Sequence, residues 1–319
     1  MGVSGVKLET MTRRPHNAPL GVFDSGVGGL TVLSALKKRL PNEDFIYLGD
    51  TARVPYGSKP LEMVRAFANE ISLELLSRGV KGIVVACNTA SAASPELSAE
   101  LSVPAVWGVL EPGVQAALRA APGGSIGVLG TVGTVRTGAY QQRLEAGGCR
   151  VWAKACPLFV PIVEEGVSDT AIARLVAQHY LYHAPPLDAV ILGCTHYPAL
   201  KPILTEVLGS AALKGPVLVD SAEATAAQVA VDLASLNLTT DRRTPGWVQH
   251  LVTGDVASYR HTAALLGGPT GSVTRVDLER SPRPCTSPRD RTPPQTYSAP
   301  REPSDENPHE QEPTVMRPT

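Results

Sequence analysis

The sequence has little that would tie it to a membrane, a nucleic acid or an oxidising compartment. No apolar run reaches the roughly 20 residues that a transmembrane helix requires. Residues 1–17 carry Lys7, Arg13 and Arg14 but no continuous apolar stretch, so they do not read as a signal peptide, and the expected location is cytoplasmic. Net charge is −1, with 29 basic and 30 acidic residues. Their spread along the chain leaves no basic stripe for nucleic acid and no cationic face for lipid. A small molecule is the expected partner. Cysteines number five, at 87, 149, 156, 194 and 285. An odd set in a large chain without an export signal argues against a disulfide framework and leaves thiols free for chemistry. They form no C-x-x-C pair, so zinc-like spacing is missing too.

What is present is an alternation. With 319 residues, 43% of them hydrophobic, the chain can bury two modest cores. Short apolar runs at 20–23 (LGVF), 45–48 (FIYL), 83–86 (IVVA), 126–129 (IGVL) and 189–192 (AVIL) are separated by helical patterns. Buried strands alternating with helices indicate an α/β fold with mostly parallel sheets. Leu30, Leu33, Leu36 and Leu40 recur at helical spacing, as do Val64, Phe67, Ile71 and Leu75 before Gly79, a helix-ending residue. Ser168 and Asp169 are expected to open another helix. Residues 281–319 hold ten prolines and no Leu, Ile or Phe, which predicts a disordered tail with an inert Cys285.

The chemistry-bearing residues fall at the predicted strand ends. In VVACNTAS (84–91), an apolar run ends in Cys87 before residues able to start a helix. The positive end of that helix is expected to lower the thiol pKa. A second thiol corner follows in AVILGCTHYP (189–198), with Cys194, Thr195 and His196. A lone cysteine is most often a small buried hydrophobe, but two similar corners are less easily explained that way. GVFDSGVGGLTV (21–32) brings Asp24 and Ser25 before Gly26, Gly28 and Gly29. These glycines do not have the G-x-G-x-x-G spacing of a dinucleotide loop, and a tight strand-to-helix turn explains them equally well. IYLGDTARVPYG (46–57) places Asp50 at another strand end. Ligands of parallel α/β sheets bind at the carboxyl ends of strands, so one cleft could gather Asp24, Asp50, Cys87 and Cys194.

Together with GVLEPG (108–113) and CPLFVPIVEEG (156–166), these motifs resemble the aspartate/glutamate racemases that work without pyridoxal phosphate, from about residue 19 to 268. Within that superfamily the GDTARVPYG segment points to the glutamate racemases, with aspartate racemase as the alternative. The resemblance implies two pseudo-symmetric α/β lobes with the active site between them, one lobe from 18–112 plus 218–278 and the other from 113–217. It implies catalytic roles for Cys87 and Cys194, supporting acid–base roles for Asp24, Asp50, Glu164 and His196, and substrate contacts from Asp24, Ser25, Tyr56, Gly57, Asn88, Thr89, Thr195 and His196. Glu165 adjoins Glu164 in the same motif. It also implies glutamate as substrate, no pyridoxal phosphate and no metal, homodimers, and supply of D-glutamate to cell-wall peptidoglycan. Lys59, Lys81 and Lys201 read as ordinary surface charges rather than cofactor anchors. A thiol hydrolase pairing one cysteine with His196, and a non-enzymatic metal or docking module, are rival readings.

Inverting an α-carbon requires one group to remove a proton from one face while another delivers a proton to the opposite face. Two thiols, one ionised and one protonated, meet that need. The carbanion has to be stabilised through donors around its carboxylate, for which Asn88, Thr89 and Ser25 are suited. Asp24 is expected to poise Cys87, and His196 to poise Cys194.

Overall fold

The computed structural model describes residues 16–278 except 93, 102, 104, 210–214 and 270. The tail with Cys285 and nearly all of the N-terminal segment lie outside the described residues.

Strands β1 (Leu20–Asp24), β2 (Phe45–Gly49), β3 (Gly82–Val85), β4 (Val106–Gly108), β9 (Val248–Val252) and β10 (Ser272–Arg275) form one sheet in the order β10-β9-β2-β1-β3-β4. Strands β5 (Ser125–Gly130), β6 (Arg150–Ala155), β7 (Ala189–Gly193) and β8 (Val217–Asp220) form a second, ordered β6-β5-β7-β8. Every pairing is parallel. The five expected apolar runs are β1, β2, β3, β5 and β7, buried along their whole length except at Ser125. They read as unbroken apolar runs because helices cover both faces of each sheet. Alternate residues therefore serve different cores. Val84 joins the cluster of Leu33, Leu36 and Val229, whereas Ile83 and Val85 join that of Ile71 and Leu75 on the other face.

On the first sheet lie α1 (Leu30–Arg39), α2 (Leu61–Ser77), α3 (Asn88–Ser91), α4 (Ser94–Glu100), α11 (Ser221–Ser235) and α12 (Val256–Ala264). The second carries α5 (Leu110–Ala120), α6 (Val132–Thr137), α7 (Ala139–Ala146), α8 (Phe159–Glu164), α9 (Ala171–Leu181) and α10 (Lys201–Leu208). Both expected leucine and valine stripes are core: Leu30, Leu33 and Leu36 are buried on α1, and Val64, Ile71 and Leu75 on α2. Gly79 ends α2 at φ +81°, where a side chain would be strained, and its N–H bonds to the Leu76 carbonyl. Residues 217–220, which straddle the expected lobe boundary, pair with β7, and α11 packs between α1 and α5.

Two expectations fail locally. The helix expected to open at Ser168–Asp169 starts at Ala171, capped by the Thr170 hydroxyl, which accepts from Ala173 N–H and so takes the capping role. Lys81 is not a surface charge. It is fully buried, with Nζ 2.5 Å from Glu43 and 2.6 Å from the His16 carbonyl. Glu43 also accepts from Thr240 N–H, so the buried charges are paired and tie three distant stretches together at the amino edge of the first sheet.

Candidate active site

Parallel pairing brings the carboxyl ends of β1, β2 and β3 to one edge, and those of β5 and β7 to the corresponding edge of the second sheet. Between these edges lies a cavity of about 350 Å³. The first sheet contributes Ser25, Tyr56, Gly57, Cys87, Asn88 and Thr89 to its wall, and the second contributes Glu164, Cys194, Thr195 and His196. The mouth is apolar, with Val54, Pro55, Val132 and Pro161. Of the expected catalytic and substrate-contact residues, all but Asp24 and Asp50 line it.

Cys87 caps the N-terminus of α3, which has only four residues. The expectation that the helix would lower its pKa is overturned. Burial and the nearby Asp24 charge push the thiol up to about 12, outweighing the Ala90 N–H and the Ser25 hydroxyl that favour the thiolate. The Sγ lies 3.8 Å from Ser25 Oγ. Asp24 stands behind the wall, fully buried, with Oδ2 accepting from Gly26 N–H at 3.0 Å and Oδ1 without a partner among the described residues. Burial raises its pKa, partly offset by His196.

Cys194 sits in a different field. Its Sγ is 3.8 Å from His196 Nδ1, and His196 Nε2 is 2.9 Å from Glu164 Oε1. Burial alone would make His196 less basic, but the bonds to Cys194 and Glu164, with the charge of Asp24, push it up to about 10. The imidazole is thus held protonated at neutral pH, donating from both ring nitrogens. Glu164, not the adjoining Glu165, makes this contact. The two thiols are therefore unequal: a carboxylate faces Cys87 and an imidazolium faces Cys194.

Asp50, expected to assist acid–base chemistry, is fully buried behind the wall and holds a loop instead. One oxygen accepts from Thr253 Oγ1 at 2.7 Å, the other from Arg53 Nε at 2.7 Å and from the Tyr56 hydroxyl. These bonds fix the 50–57 turn, which presents Tyr56 and Gly57 to the cavity. A methyl on Gly57 would meet Thr131 side-chain atoms from 2.6 Å, so glycine is needed for the close approach of the two halves.

Sequence reasoning missed Thr131 and Thr134. Their hydroxyls and that of Thr89 form a triangle of 3.0, 3.0 and 3.1 Å that joins α3 to the second sheet. Thr131 lines the cavity and follows β5, so the strand-end rule that found the cysteines could have found it too. Tyr140, in the first turn of α7 rather than at a strand end, carries no such signal; its hydroxyl donates to Asn88 Oδ1 at 2.6 Å. Among the described residues no group of three or more His, Cys, Asp or Glu could hold a metal ion. No helix among them is long and apolar enough to cross a membrane.

Comparison with known proteins gives the class first. The sequence pattern of the Asp/Glu/Hydantoin racemase family matches residues 29–229, and the chain belongs to that family. It is an isomerase by that membership. Within the family its similarity is to glutamate racemases. That of Thermus thermophilus is 56% identical over 265 residues, covering 82% of this chain and 97% of the relative. That of Geobacter metallireducens is 45% identical over 266 residues, covering 82% of this chain and 97% of the relative. The crystal structure of the Thermus thermophilus enzyme with beta-chloro-D-alanine superposes with a TM-score of 0.77 at 55% identity, covering 83% of this chain and 99% of that one. The Francisella tularensis glutamate racemase in complex with D-glutamate gives 0.75 at 32% identity, covering 83% and 99%. The two-lobed α/β architecture is common to these structures.

Proposed function

We propose that the chain interconverts L-glutamate and D-glutamate, with Cys87 and Cys194 as the two acid–base groups. The observation that carries this reading is the pair of thiols at the ends of β3 and β7, in one cavity but in opposite electrostatic surroundings. In one direction the Cys194 thiolate takes the α-proton, breaking C–H and forming S–H, and the electron pair spreads into the substrate carboxylate. The Cys87 thiol then delivers its proton to the opposite face, and in the reverse direction the roles exchange. The protonated His196, backed by Glu164, supports the charge on Cys194. Burial beside Asp24 keeps Cys87 protonated in the resting enzyme. Asn88, Thr89 and Ser25 serve the substrate carboxylates as donors, which matters because the cavity wall holds no lysine or arginine among the described residues. Asp24 acts through Cys87, and Asp50 through the loop carrying Tyr56 and Gly57.

The chemistry needs no pyridoxal phosphate and no metal. Glutamate rather than aspartate is supported by the relatives and by the D-glutamate bound to the Francisella enzyme. The lobes are taken as residues 18–112 with 221–278, and 113–220, the expected boundary at 217/218 moving to the end of β8 because that strand pairs with β7. The proposed setting is the cytoplasm, the proposed assembly a homodimer, and the product's use the building of peptidoglycan.

The test is incubation of metal- and pyridoxal-free protein with D-glutamate in D₂O, following optical rotation and α-deuterium together. Inversion with solvent deuterium in the product is expected. Inversion of aspartate alone would move the substrate, and a trapped acyl-thioester would move the reaction class to hydrolysis. Cys87→Ser and Cys194→Ser are each expected to abolish most racemisation yet retain opposite partial reactions on substrate analogues; equal mild losses would contradict two-base chemistry.

A further inference from the structure

Asn88 is nearly buried on the cavity wall, at the start of α3. Its amide is used unequally by the protein. Oδ1 accepts from the Tyr140 hydroxyl at 2.6 Å, whereas Nδ2 is buried with no partner among the described residues. An amide left to itself could turn over and present either its oxygen or its nitrogen to a ligand. Here the O–H of Tyr140 donates to Oδ1, so turning the amide over would lose that bond and require the hydroxyl proton to find another acceptor.

Tyr140 is itself held. It is fully buried on α7, its ring packs close to Gly193 beside Cys194, and its hydroxyl also meets the Ser221 side chain. Its own proton goes to Asn88 Oδ1. The chain Ser221 to Tyr140 to Asn88 crosses from the start of α11, through the second sheet's helices, to the thiol corner of the first.

We propose that Tyr140 is a positioning residue for racemisation: it locks the Asn88 amide so that Nδ2, a pair of donors otherwise unused by the protein, is committed to a carboxylate of the substrate. The idea rests on the glutamate racemase reading for its substrate, but not for its geometry. A donor aimed beforehand at a carboxylate gains strength as carbanion charge spreads onto that group, so the loss should fall on kcat more than on KM.

Three substitutions test it, read with whichever dicarboxylic amino acid the wild-type enzyme inverts, so that a wrong substrate defeats the proposed function alone. Tyr140→Phe keeps the buried ring and removes one hydroxyl; kcat/KM is expected to fall about 10- to 100-fold, mostly in kcat. In an Asn88→Ala background the same change should cost less than about twofold, because Tyr140 then has nothing to orient. A purely structural tyrosine would instead cost the same factor in both backgrounds, and that result would overturn the proposal. Asn88→Asp supplies a second reading that leaves Tyr140 intact. Tyr140 would hold one carboxylate oxygen and leave the other, charged, where the amide donors stood, so this variant should be less active than Asn88→Ala. Equal or higher activity for Asn88→Asp would also overturn it. Thermal midpoints measured in parallel confirm that each variant compared is folded.

Discussion

Replacing Gly28 by alanine drives a methyl group into the Cys194 side of the cleft. The added Cβ would lie 2.2 Å from Thr195 Oγ1 and 2.5 Å from both Cε1 and Nδ1 of His196. Gly28 is not among the positive-φ glycines, so alanine brings no backbone strain and the whole effect is steric. Relief to ordinary contact requires a movement of about 1 Å or more by groups with little freedom. The His196 ring is pinned between Cys194 and Glu164, and the Thr195 carbonyl accepts from Thr31 Oγ1 at 2.9 Å. Overpacking of this kind lowers stability by ~1–3 kcal/mol, while a 1 Å misplacement of reacting groups costs roughly 100-fold in rate. The expected variant is therefore folded, slightly less stable, and about 100-fold slower in kcat/KM. Since the displaced ring serves Cys194, the reaction that starts with Cys194 as base should suffer more. Initial rates of α-deuterium exchange from each enantiomer in D₂O, with circular dichroism for inversion, measure both quantities. Gly26→Ala, whose methyl would meet only Val54 Cγ1 at 3.1 Å, should lose far less. A Gly28→Ala enzyme within about threefold of wild type in both directions would refute the claim that the imidazole position is set by this contact.

Asp50→Ala should destabilise the fold by ~2–4 kcal/mol in denaturant unfolding, at the lower end because Arg53 keeps some access to water, and should raise KM through the loosened 50–57 loop. Glu164→Gln removes the carboxylate that helps hold His196 protonated, so the alkaline limb of the kcat/KM profile should begin at lower pH than in the wild type. Two buried histidines act oppositely on stability. His196, raised to about 10, contributes stability that is complete below its ordinary ~6.5 and lost as pH rises through 10. His250, lowered by burial and by Lys37 and Arg260 to about 4, contributes stability that is present above ~6.5 and lost as pH falls towards 4. Unfolding free energies across that acid range should drop less steeply for His250→Phe than for the wild type.

The parts of the fold that could be read from the chain are those in which composition is forced by burial on both faces. β1, β2, β3, β5 and β7 occupy central positions and had to be apolar throughout. The strands that escaped notice lack that constraint. β4, β6, β8 and β10 are edge strands, and their residues are partly exposed. β9 lies inside the first sheet but reads VQHLV, with the Nδ1 of His250 paired to the Tyr259 hydroxyl at 2.9 Å in a core position. Lys81 misleads for a similar reason, its buried charge being answered by Glu43, 38 residues away.

Sequence alone therefore determined most of the residues at the cavity. Strand ends in a parallel sheet share an edge, so Cys87 and Cys194 could be gathered from local pattern without knowledge of the strand order, and the family resemblance added Ser25, Asn88 and His196. Their electrostatic character was decided by tertiary structure. Helix position suggested an acidic Cys87, but desolvation and Asp24 outweigh a helix of one turn. Asp24 and Asp50 end similar strands, yet only the packed structure reveals that both lie behind the wall, and that Asp50 spends its oxygens on Thr253, Arg53 and Tyr56. Tyr140 is invisible to local pattern because its partner Asn88 is 52 residues away. Burial, charge and hydrogen-bond direction depend on neighbours brought in from distant parts of the chain, and periodicity along a sequence carries no record of them.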